Sequence, residues 1–411
     1  MTFYNKYVII NYKAEGVWRM NKLKYEIPLN ENQKFILNAL QSKGQGYIVG
    51  GFIRDYLLGI ENNDCDFATN LSLEEMQELF KEFKQEIVGK HFQILLVKIN
   101  GISYEIARFR MDLKCNTDNR KDVEVAFTND LEEDLKRRDF TINAMAYDGT
   151  NLYWLGNSFQ DAKYGILEFV GNAEERIKED ALRILRAIRF IQSHNLIVSE
   201  EFINIINKNK KLILNLSSER IRDEIKKILK YKIKNSAKSF FLFEKVQDCY
   251  LPRDRDWKVN MAYMLRNYRY SVGTVEHILK EFKFSNADIK DIVLLYKCIL
   301  LNNCFDNQIF RYLISYNATY LYDLLGYSKT KIENIPKNFK ELNITSKQIM
   351  DLGIPQDKIN KVQNLLLDEV SSLPKLNNYN DLCVLIQGID FKEHTLMEKI
   401  NDYLSDLYID N

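Results

Sequence analysis

Two aspartates one residue apart, Asp64 and Asp66, follow a pair of glycines in the segment VGGFIRDYLLGIENNDCDFAT. We predict a strand at DCDFAT, and side chains two residues apart on a strand leave the same face of the sheet. Two such carboxylates repel each other unless cations neutralise them. Mg²⁺ suits this arrangement because it takes one or two carboxylates together with substrate phosphates, and a metal pair about 4 Å apart can activate a hydroxyl and stabilise a leaving pyrophosphate. The alternative is an exposed turn with solvated charges.

Gly50 and Gly51 stand between a predicted strand, GYIVGG, and a predicted helix, FIRDYLLG. Glycines at such a junction let backbone amides approach a polyphosphate at the positive end of a helix. Arg54 on this helix can reach the same phosphates, and Asp55 can orient it. A third carboxylate is expected on a neighbouring strand, where Glu105 in SYEIARFR is the candidate. An ion pair across the strand edge is the alternative for this glutamate.

A second polar group lies in DLKRRDFTINAMAYD, where Arg137, Arg138 and Asp139 directly precede FTINAMAY, an apolar segment that we predict to be a helix. Adjacent arginines beside a buried helix can hold a triphosphate through bidentate contacts. Asn143 can bond a ribose hydroxyl. The alternative is a solvated helix start with its cap.

A third polar group lies in EDALRILRAIRF, which begins at Glu179. Asp180 and Arg183 are three residues apart and therefore share a face if the segment is one helix. Arg186 and Arg189 continue this ridge, while the leucines and isoleucines between them supply a buried stripe. An isolated pair at this spacing is most often a surface salt bridge, which is the alternative here.

The elements that must position these residues change character along the chain. From about residue 30 to Asp148, apolar spacing predicts alternating helices and strands, including helices at ENQKFILNALQSK and SLEEMQELFKEF and strands at EIVGK and FQILLVKI. From about residue 173 nearly every segment shows helical spacing. Helix breaks are expected near Pro252, Pro336, Pro355 and Pro374. The pattern predicts an α/β head followed by a long helical remainder.

The composition describes a globular protein of several domains: 411 residues, 46% hydrophobic and 28% charged. No apolar run approaches the roughly 18 residues of a membrane span, so no membrane partner is expected. The formal net charge is only +1, and a basic surface for a polyanion must therefore be local. The candidates are Lys208 to Lys211 and the run KKILKYKIK from Lys226 to Lys234. A plain solvated helix face is the alternative for each.

Six cysteines are scattered without CxxC spacing, which indicates reduced thiols, no disulfide partner and a cytoplasmic location. Four histidines lie far apart, which argues against a histidine-rich metal site. The N-terminus shows no signal-peptide layout. Met20 precedes a lysine-rich segment, and the codons of Glu15-Gly16 would form a purine-rich stretch just upstream. We therefore expect Met20 to be the natural start and the first 19 residues to be additional.

Together the three polar groups resemble the motifs of the class II tRNA nucleotidyltransferase and bacterial poly(A) polymerase family, within the DNA polymerase β-like nucleotidyltransferases. The first motif, GG-x-(V/I)RD-x-LLG followed by D-x-D, is matched from Gly50 to Asp66. RRDFTINAMA is matched letter for letter from Arg137 to Ala146, and the nucleotide-selecting motif, E-D-x-x-R followed by xLRAxRF, from Glu179 to Phe190. ERIRDEIKKIL resembles a final motif that buttresses the selecting helix in the family. The resemblance spans about residues 35 to 230.

This resemblance implies an α+β fold: a DNA polymerase β-like nucleotidyltransferase head with a small β-sheet, followed by all-helical neck, body and tail domains. It implies template-independent nucleotidyl transfer to the 3′ end of tRNA from CTP and ATP, with Mg²⁺ as the cofactor. Asp64 and Asp66 would hold the metals, with Glu105 as a third catalytic carboxylate. The implied nucleotide-binding residues are Gly50, Gly51, Arg54, Arg137, Arg138, Asp139, Asn143, Asp180, Arg183, Arg186 and Arg189.

The same resemblance divides the chain into five parts: an N-terminal extension (1–34), the head (35–148), a neck that selects the nucleotide (149–236), a helical body (237–330) and a helical tail that binds tRNA (331–411). Two segments depart from the family pattern. YWLGNSFQDA keeps only Asp161 of a loop between the second and third motifs, and VGKHFQILLV lacks the Gly-Thr that commonly follows its His-Phe. These departures concern the subtype more than the reaction. The oligomeric state is left open.

Three subtypes share the catalytic motifs: the full CCA-adding enzyme, the partial CC- or A-adding enzymes and the poly(A) polymerase. Residues 109–134 retain a flexible loop that CC-only enzymes typically lack and that in the family helps the site switch from C to A. The tail resembles that of CCA-adding enzymes, although Ser346 and Gln356 replace two usual glycines, and the strongly basic C-terminal extension of poly(A) polymerases is missing. CCA addition is therefore favoured.

Two further alternatives come from other classes. A non-catalytic RNA-binding relative would keep the helical body with a degenerate head, but the motif carboxylates and the selecting arginine are intact. A fused phosphohydrolase, as in some relatives, is disfavoured because the sequence contains no His-Asp dipeptide.

Overall fold

The computed structural model describes residues 18–88, 90–112, 125–231, 256–301, 306–316, 318–325, 335–389 and 394–407. The described residues up to Ser217 form one compact unit, and those from Ser218 onward form a second. Within these ranges no helix has the length and apolarity needed to cross a membrane. The described cysteines are free thiols: Cys65, Cys298 and Cys383.

The first unit is built on a mixed sheet. Its strands are β1 Met20–Lys24, β2 Gly46–Val49, β3 Asp66–Thr69, β4 Lys84–Ile87, β5 Ile94–Ile99, β6 Ile102–Arg108, β7 Arg110–Asp112, β8 Val125–Phe127, β9 Met145–Tyr147 and β10 Asn151–Leu155. Eight of them form one sheet in the order β1-β10-β9-β2-β3-β6-β5-β4, and β7 pairs with β8 separately. All neighbours in the large sheet are antiparallel except β3 and β6. The parallel pair places the start of β3 opposite the middle of β6.

Helices cover this sheet and continue the chain beyond it. In the first unit they are α1 Glu31–Gln41, α2 Gly51–Leu57, α3 Leu73–Leu79, α4 Leu131–Lys136, α5 Ser158–Tyr164, α6 Ala173–Glu179, α7 Leu182–His194 and α8 Glu200–Asn209. In the second unit they are α9 Ser218–Ile228, α10 Trp257–Asn267, α11 Val272–Glu281, α12 Asn286–Leu300, α13 Asp306–Ser315, α14 Tyr320–Leu324, α15 Ser346–Asp351, α16 Ile359–Ser372, α17 Tyr379–Gln387 and α18 Leu396–Leu407. The predicted change from α/β to helical structure is confirmed.

Helix starts follow local capping chemistry. Asn30 caps α1, and Gln33 reaches back to the Asn30 backbone, which completes a capping box. Ser72 and Glu75 form the same arrangement at the start of α3. These polar residues satisfy backbone donors that a helix start leaves without partners. The two helices were therefore predictable at their first turn as well as along their apolar stripe.

The predicted helix at FTINAMAY is wrong. The segment forms a short 3₁₀ turn, Thr141–Asn143, followed by β9, which pairs with both β2 and β10. A short apolar run that is buried on both faces fits a helix and a central strand equally well, so periodicity cannot separate them. The tight turn places Asn143 beside the end of β2 rather than on a helix.

Other differences are smaller. The strand expected at EIVGK lies two residues earlier, as β4, and the strand expected at DCDFAT begins at Asp66. The strands β1 and β10, which are neighbours at one side of the sheet, were not predicted; Met20 of β1 pairs with Leu155 of β10. Residues 1–17 lie outside the described residues, and the expected start at Met20 therefore stays a prediction.

The cores of the two units explain their stability. Between the sheet and α4, nine buried apolar residues pack together: Val49, Ala68, Phe109, Leu131, Leu135, Ala144, Ala146, Leu155 and Val170. In the second unit, a buried cluster includes Ile349 of α15, Val362, Leu366 and Val370 of α16, and Leu382 and Ile386 of α17. Burial of the Val, Leu, Ile and Phe side chains stabilises the fold by about 1.5–3 kcal/mol each before entropy is counted, and burial of the alanines by less. The first cluster also fixes α4 against the strands that carry the candidate site.

Candidate active site

The three predicted carboxylates lie together where β3 begins, opposite the middle of β6. Phe67 is in parallel register with Ile106, which places Asp66 beside Glu105. Asp64 precedes β3 in a turn in which its backbone N–H donates to Asn62 Oδ1 at 2.8 Å. Cys65 is only 2% exposed, whereas Asp64 is exposed and Asp66 is half-buried. Asp64 therefore lies before the strand rather than on it, and the prediction that both aspartates leave one strand face stays a prediction.

The carboxylates act on one another electrostatically. Burial first, and then the charges of Glu105 and Asp64, raise the pKa of Asp66 from 3.8 to about 6, against the opposing charge of Arg138. In the part of the chain that the structure describes, no group of three or more His, Cys, Asp or Glu side chains can hold a metal ion by itself. Mg²⁺, however, commonly takes only one or two carboxylates and completes its shell with substrate phosphates. The crowded carboxylates therefore fit a divalent cation that binds together with a polyphosphate.

Two guanidinium groups flank the glycine pair at the start of α2. Gly50 has a φ of +70°, which favours glycine, and a Cβ there would lie 3.0 Å from Arg138 Nη1. A Cβ at Gly51 would lie 3.5 Å from Arg54 Nη2. A side chain at either position would fill the space beside these cations. The backbone and the two arginines together form a cradle suited to an anion.

Arg54 belongs to a buried chain of hydrogen bonds. Its Nε and Nη2 donate to Asp55 at 2.7 and 2.9 Å, and its Nη1 donates to Asn143 Oδ1 at 2.9 Å. Asn143 Nδ2 donates to Asp139 Oδ1 at 3.0 Å, and Asp139 Oδ2 accepts from Arg186 Nε at 2.7 Å. Burial alone would raise the pKa of Asp139, but Arg186 and Asn143 outweigh it and lower the pKa. Asp55 orients Arg54 as expected, whereas the ribose contact of Asn143 stays a prediction because the structure uses its amide as a bridge.

Asp134 on α4 was missed by sequence reasoning. It is 1% exposed, and its Oδ1 accepts from Arg137 Nε and Nη2 at 2.9 and 2.7 Å and from the backbone N–H of Arg110 at 3.2 Å. Its Oδ2 accepts from Arg138 Nη2 at 3.1 Å. One carboxylate therefore positions both adjacent arginines. The signal was present, since Asp134 precedes them by three and four residues, the spacing of contacts along a helix.

Replacing Asp134 with alanine should lower the free energy of unfolding by about 3–5 kcal/mol, because it leaves two partly buried guanidinium groups without their counter-ion. Urea unfolding of the full chain measures the loss. Glu133→Ala is a matched control on the same helix. Glu133 also forms an ion pair, with Lys136, but both of these side chains are accessible to solvent. The control should change stability by less than about 0.5 kcal/mol. Equal losses in the two variants would contradict the role of Asp134.

The difference in stability between wild type and Asp134→Ala should also depend on pH. Burial alone would raise the pKa of Asp134, but Arg137 and Arg138 outweigh it and lower the pKa below its ordinary value of 3.8. A carboxyl whose pKa falls on folding stabilises the protein above its unfolded pKa, and this stabilisation is lost as the pH falls through the folded value. The difference in stability between wild type and Asp134→Ala should therefore shrink when the pH is lowered from neutral to below 3.8.

The predicted single helix across EDALRILRAIRF is also wrong. α6 ends at Glu179, Asp180 has extended backbone with φ −150° and ψ 101°, and α7 begins at Leu182. The Asp180 carboxylate accepts from the Leu182 backbone N–H at 3.0 Å. Aspartate competes for backbone donors in this way and favours helix boundaries over helix interiors. Asp180 and Arg183 are thus neighbours at a helix junction rather than partners on one helix face.

The Arg183 side chain is held by Glu179 and by the Arg176 carbonyl. Its side chain is 7% exposed, and Nη1 donates to Glu179 Oε2 at 2.8 Å and to the Arg176 carbonyl at 2.6 Å. Arg176 donates to the same Glu179 oxygen at 2.5 Å and to the Arg138 carbonyl at 2.7 Å. The first glutamate of the motif therefore holds two arginines in place. Arg176 is a further residue that sequence reasoning did not single out.

The remaining predicted arginines converge on one aromatic ring. The guanidinium carbons of Arg189, Arg54 and Arg186 lie 4.2, 5.1 and 5.7 Å from the centre of the Phe190 ring. Phe190 itself packs edge to face on Phe140, with ring centres 5.7 Å apart. The structure thus brings the arginines of the first and third motifs together around a buried ring.

The predicted basic ridges are partly engaged in ion pairs. Lys226 Nζ lies 2.8 Å from Asp288 and 4.5 Å from the centre of the Trp257 ring. Lys208 Nζ lies 2.9 Å from Glu174. Lys232 to Lys234 lie outside the described residues. A role of Lys208 or Lys226 in RNA binding therefore stays a prediction, and Lys226 has an evident structural role.

Sequence comparison identifies the family. Residues 46–168 match the model described as Poly A polymerase head domain, and residues 195–238 match a probable RNA and SrmB-binding site of polymerase A. A CCA-adding enzyme of Ligilactobacillus salivarius is 33% identical over 320 residues, which cover 76% of this chain and 76% of the relative. The chain belongs to the family of CCA-adding enzymes. A second member, from Bacillus pumilus, is 36% identical over 279 residues, which cover 63% of this chain and 69% of the relative.

Solved structures of the family have the same fold. The CCA-adding enzyme of Bacillus stearothermophilus in complex with CTP has a TM-score of 0.67 and 21% identity, and the match covers 88% of this chain and 98% of that one. The CCA-adding enzyme of Thermotoga maritima complexed with tRNA_CCA has a TM-score of 0.59 and 20% identity, with 88% and 96% covered. The predicted family, enzyme class and α+β fold are confirmed.

Proposed function

We propose that this chain adds C, C and A to the 3′ end of tRNA, using CTP and ATP and releasing pyrophosphate. Its relatives are CCA-adding enzymes, and similar structures have been solved with CTP, with ATP and with tRNA_CCA. One structural observation carries the proposal: crowded carboxylates at the start of β3 lie beside a cradle of glycines and arginines. The carboxylates can hold the cations, and the cradle can hold the triphosphate, that transfer of a nucleotide requires.

The carboxylates provide the reaction centre. Asp64 and Asp66 would hold divalent cations, Mg²⁺ in this proposal, which in a two-metal mechanism activate the attacking 3′ hydroxyl and neutralise the leaving pyrophosphate. Glu105 lies beside Asp66 in the neighbouring strand and is the third carboxylate of the centre. Burial first, and then the charges of Glu105 and Asp64, raise the pKa of Asp66, and a bound cation would offset the repulsion among these carboxylates.

The cradle positions the triphosphate. Gly50 and Gly51 leave room for phosphate oxygens against the backbone, and Arg54 and Arg138 supply charge on two sides. Arg137, held by Asp134, extends the positive surface next to Arg138. Because Arg54 is fixed by Asp55 and Asn143, little conformational entropy is lost when a triphosphate binds. In this proposal the head is residues 35–148, the selecting neck 149–236 and the tRNA-binding tail 331–411.

The loop that follows β7 should control the last step. Residues 113–124 lie outside the described residues, but β7 and β8 on either side pair with Arg110 opposite Phe127. In our proposal this loop helps the site change from C to A. Shortening the segment from Met111 to Asp122 should therefore leave products that end in CC, as seen by sequencing gels of a single tRNA. An equal loss of C and A addition would contradict this role.

A stepwise assay tests the proposed function against its closest alternatives. Three tRNA substrates are needed, ending before the first C, after one C and after CC. With CTP alone, the tRNA that ends before the first C should gain two C residues, the tRNA that ends after one C should gain one, and both should then stop. With ATP, the tRNA that ends in CC should gain one A. A growing A tail would indicate a poly(A) polymerase, and failure with either nucleotide would indicate a partial enzyme. Binding of tRNA without addition would indicate a non-catalytic relative.

A further inference from the structure

His194, the last residue of α7, makes a contact that no motif predicted. Its Nε2 lies 3.0 Å from Asp55 Oδ1, and its side chain is 12% exposed. The other ring nitrogen, Nδ1, lies 2.6 Å from Ser193 Oγ. Both nitrogens are thus engaged, and the imidazole is fixed in orientation toward Asp55.

Asp55 is the point where three parts of the site meet. Its carboxylate accepts two hydrogen bonds from Arg54 and one from Asn62 Nδ2 at 2.5 Å, in addition to the contact with His194. Asn62 in turn accepts from the backbone N–H of Asp64. Burial would raise the pKa of Asp55, but hydrogen bonds from His194 and Arg54 outweigh it and lower the pKa to about 2. Asp55 is therefore ionised at neutral pH, and the His194 Nε2–H is the donor.

α7 is consequently joined to the cradle at two places. Near its middle, Arg186 donates to Asp139, which reaches Arg54 through Asn143. At its end, His194 reaches Arg54 through Asp55. The same helix carries Arg183 in its first turn. A displacement of α7 would therefore be transmitted to Arg54 by two separate routes.

We propose that His194 is a positioning residue for the triphosphate: by holding Asp55, it fixes the Arg54 guanidinium against Gly51 and couples the nucleotide-selecting helix to the phosphate cradle. The inference rests on the proposed function, since it assumes that Arg54 contacts the triphosphate. The expected effect of losing His194 differs from the effect of losing a residue that selects the base. CTP and ATP share the triphosphate, so loss of His194 should weaken both equally and leave the choice among bases unchanged.

The test compares His194→Leu, which removes the donor, with His194→Gln, which restores an N–H donor. The exposed His277 on α11 supplies a matched control, His277→Leu. In steady-state addition, His194→Leu should raise the KM for CTP and for ATP by on the order of tenfold, the effect of losing a hydrogen bond to a charged group. His194→Gln should recover most of this loss, and the ratio of CTP to UTP incorporation, the KM for tRNA and the melting temperature should stay near wild type.

Three results would overturn the inference: an unchanged KM for both nucleotides in His194→Leu, a change for only one of them, or a parallel loss in melting temperature that His194→Gln does not reverse. The last result would mean that His194 serves only packing. Failure of the proposed function can be distinguished from failure of the His194 inference, because the wild-type protein itself would then add no nucleotide to tRNA. CTP binding measured by calorimetry on the wild type and both His194 variants then tests the positioning role without catalysis.

Discussion

Alanine at Asp64 or Asp66 abolishes nucleotide addition in our account, while the fold and tRNA binding are kept. In our proposal these carboxylates would hold the cations that stabilise charge at the reacting phosphate, a contribution of several kcal/mol, so the rate should fall by at least about 10³-fold. Single-turnover addition of A to a tRNA ending in CC, with Mg²⁺, measures the loss. Retention of more than a few per cent of the wild-type rate by Asp64→Ala would contradict the assignment.

Stability separates this loss from unfolding. Asp64 is exposed, and its removal should leave the melting temperature unchanged. Burial and the neighbouring carboxylates raise the pKa of Asp66 to about 6, which means that its ionisation is less favourable in the folded protein than in the unfolded chain, although the group stays mostly ionised at neutral pH. Asp66→Ala should therefore melt at the same temperature as the wild type or higher, as expected when an active-site charge is removed. Glu61→Ala, an exposed acid in the same segment, is the control and should keep the wild-type rate.

The second large effect concerns base choice by Asp180 and Arg183. Cytosine and adenine both present an exocyclic amine donor beside a ring-nitrogen acceptor, whereas guanine and uracil present a carbonyl beside a ring N–H. A carboxylate acceptor next to a guanidinium donor fits the first pair and leaves the second with two mismatched contacts. Each mismatch costs on the order of 1–3 kcal/mol, and two can give a 100-fold or greater preference. Asp180→Ala and Arg183→Ala should narrow this preference without affecting metal binding.

The junction geometry supplies a control for this experiment. Asp180 also accepts from the Leu182 N–H, so alanine removes this hydrogen bond to the helix start as well as the proposed base contact. Asp180→Asn keeps an oxygen that can accept from the Leu182 N–H but replaces the other carboxylate oxygen with a donor. It should therefore retain stability while losing selectivity. Single-turnover addition of all four nucleotides by the three variants measures the effect, and unchanged selectivity in both alanine variants would mean that the pair serves only the structure.

The candidate site residues could be picked out from the sequence because their proposed chemistry depends on local spacing. The alternation of Asp64 and Asp66 about Cys65, and the glycine pair between β2 and α2, can be read from adjacent positions. FTINAMAY was misassigned because a short apolar run does not distinguish a central strand from a helix. The continuous helix through Asp180 was misassigned because side-chain capping competes with helical periodicity.

The supporting residues were harder to predict. Asp134 precedes its two arginine partners by the spacing of contacts along a helix. Its effect on stability, however, comes from its burial, which depends on how α4 packs on the sheet. His194 and Asp55 are far apart in the chain and meet only because α7 returns to α2. Neither the burial of Asp134 nor the contact between His194 and Asp55 can be predicted from a single sequence. The motifs therefore indicated the reaction, while the hydrogen-bond network that positions its arginines required the fold.

The most direct test of the central claim is to sequence product 3′ ends. Wild-type protein would be incubated with Mg²⁺, all four nucleoside triphosphates and a mixture of tRNA lacking its CCA end and an unrelated RNA of similar length. We predict that CCA is added to the tRNA, that extension then stops, and that the unrelated RNA is unchanged. Homopolymeric A tails, ends that stop at CC, or no extension of the tRNA would contradict the claim.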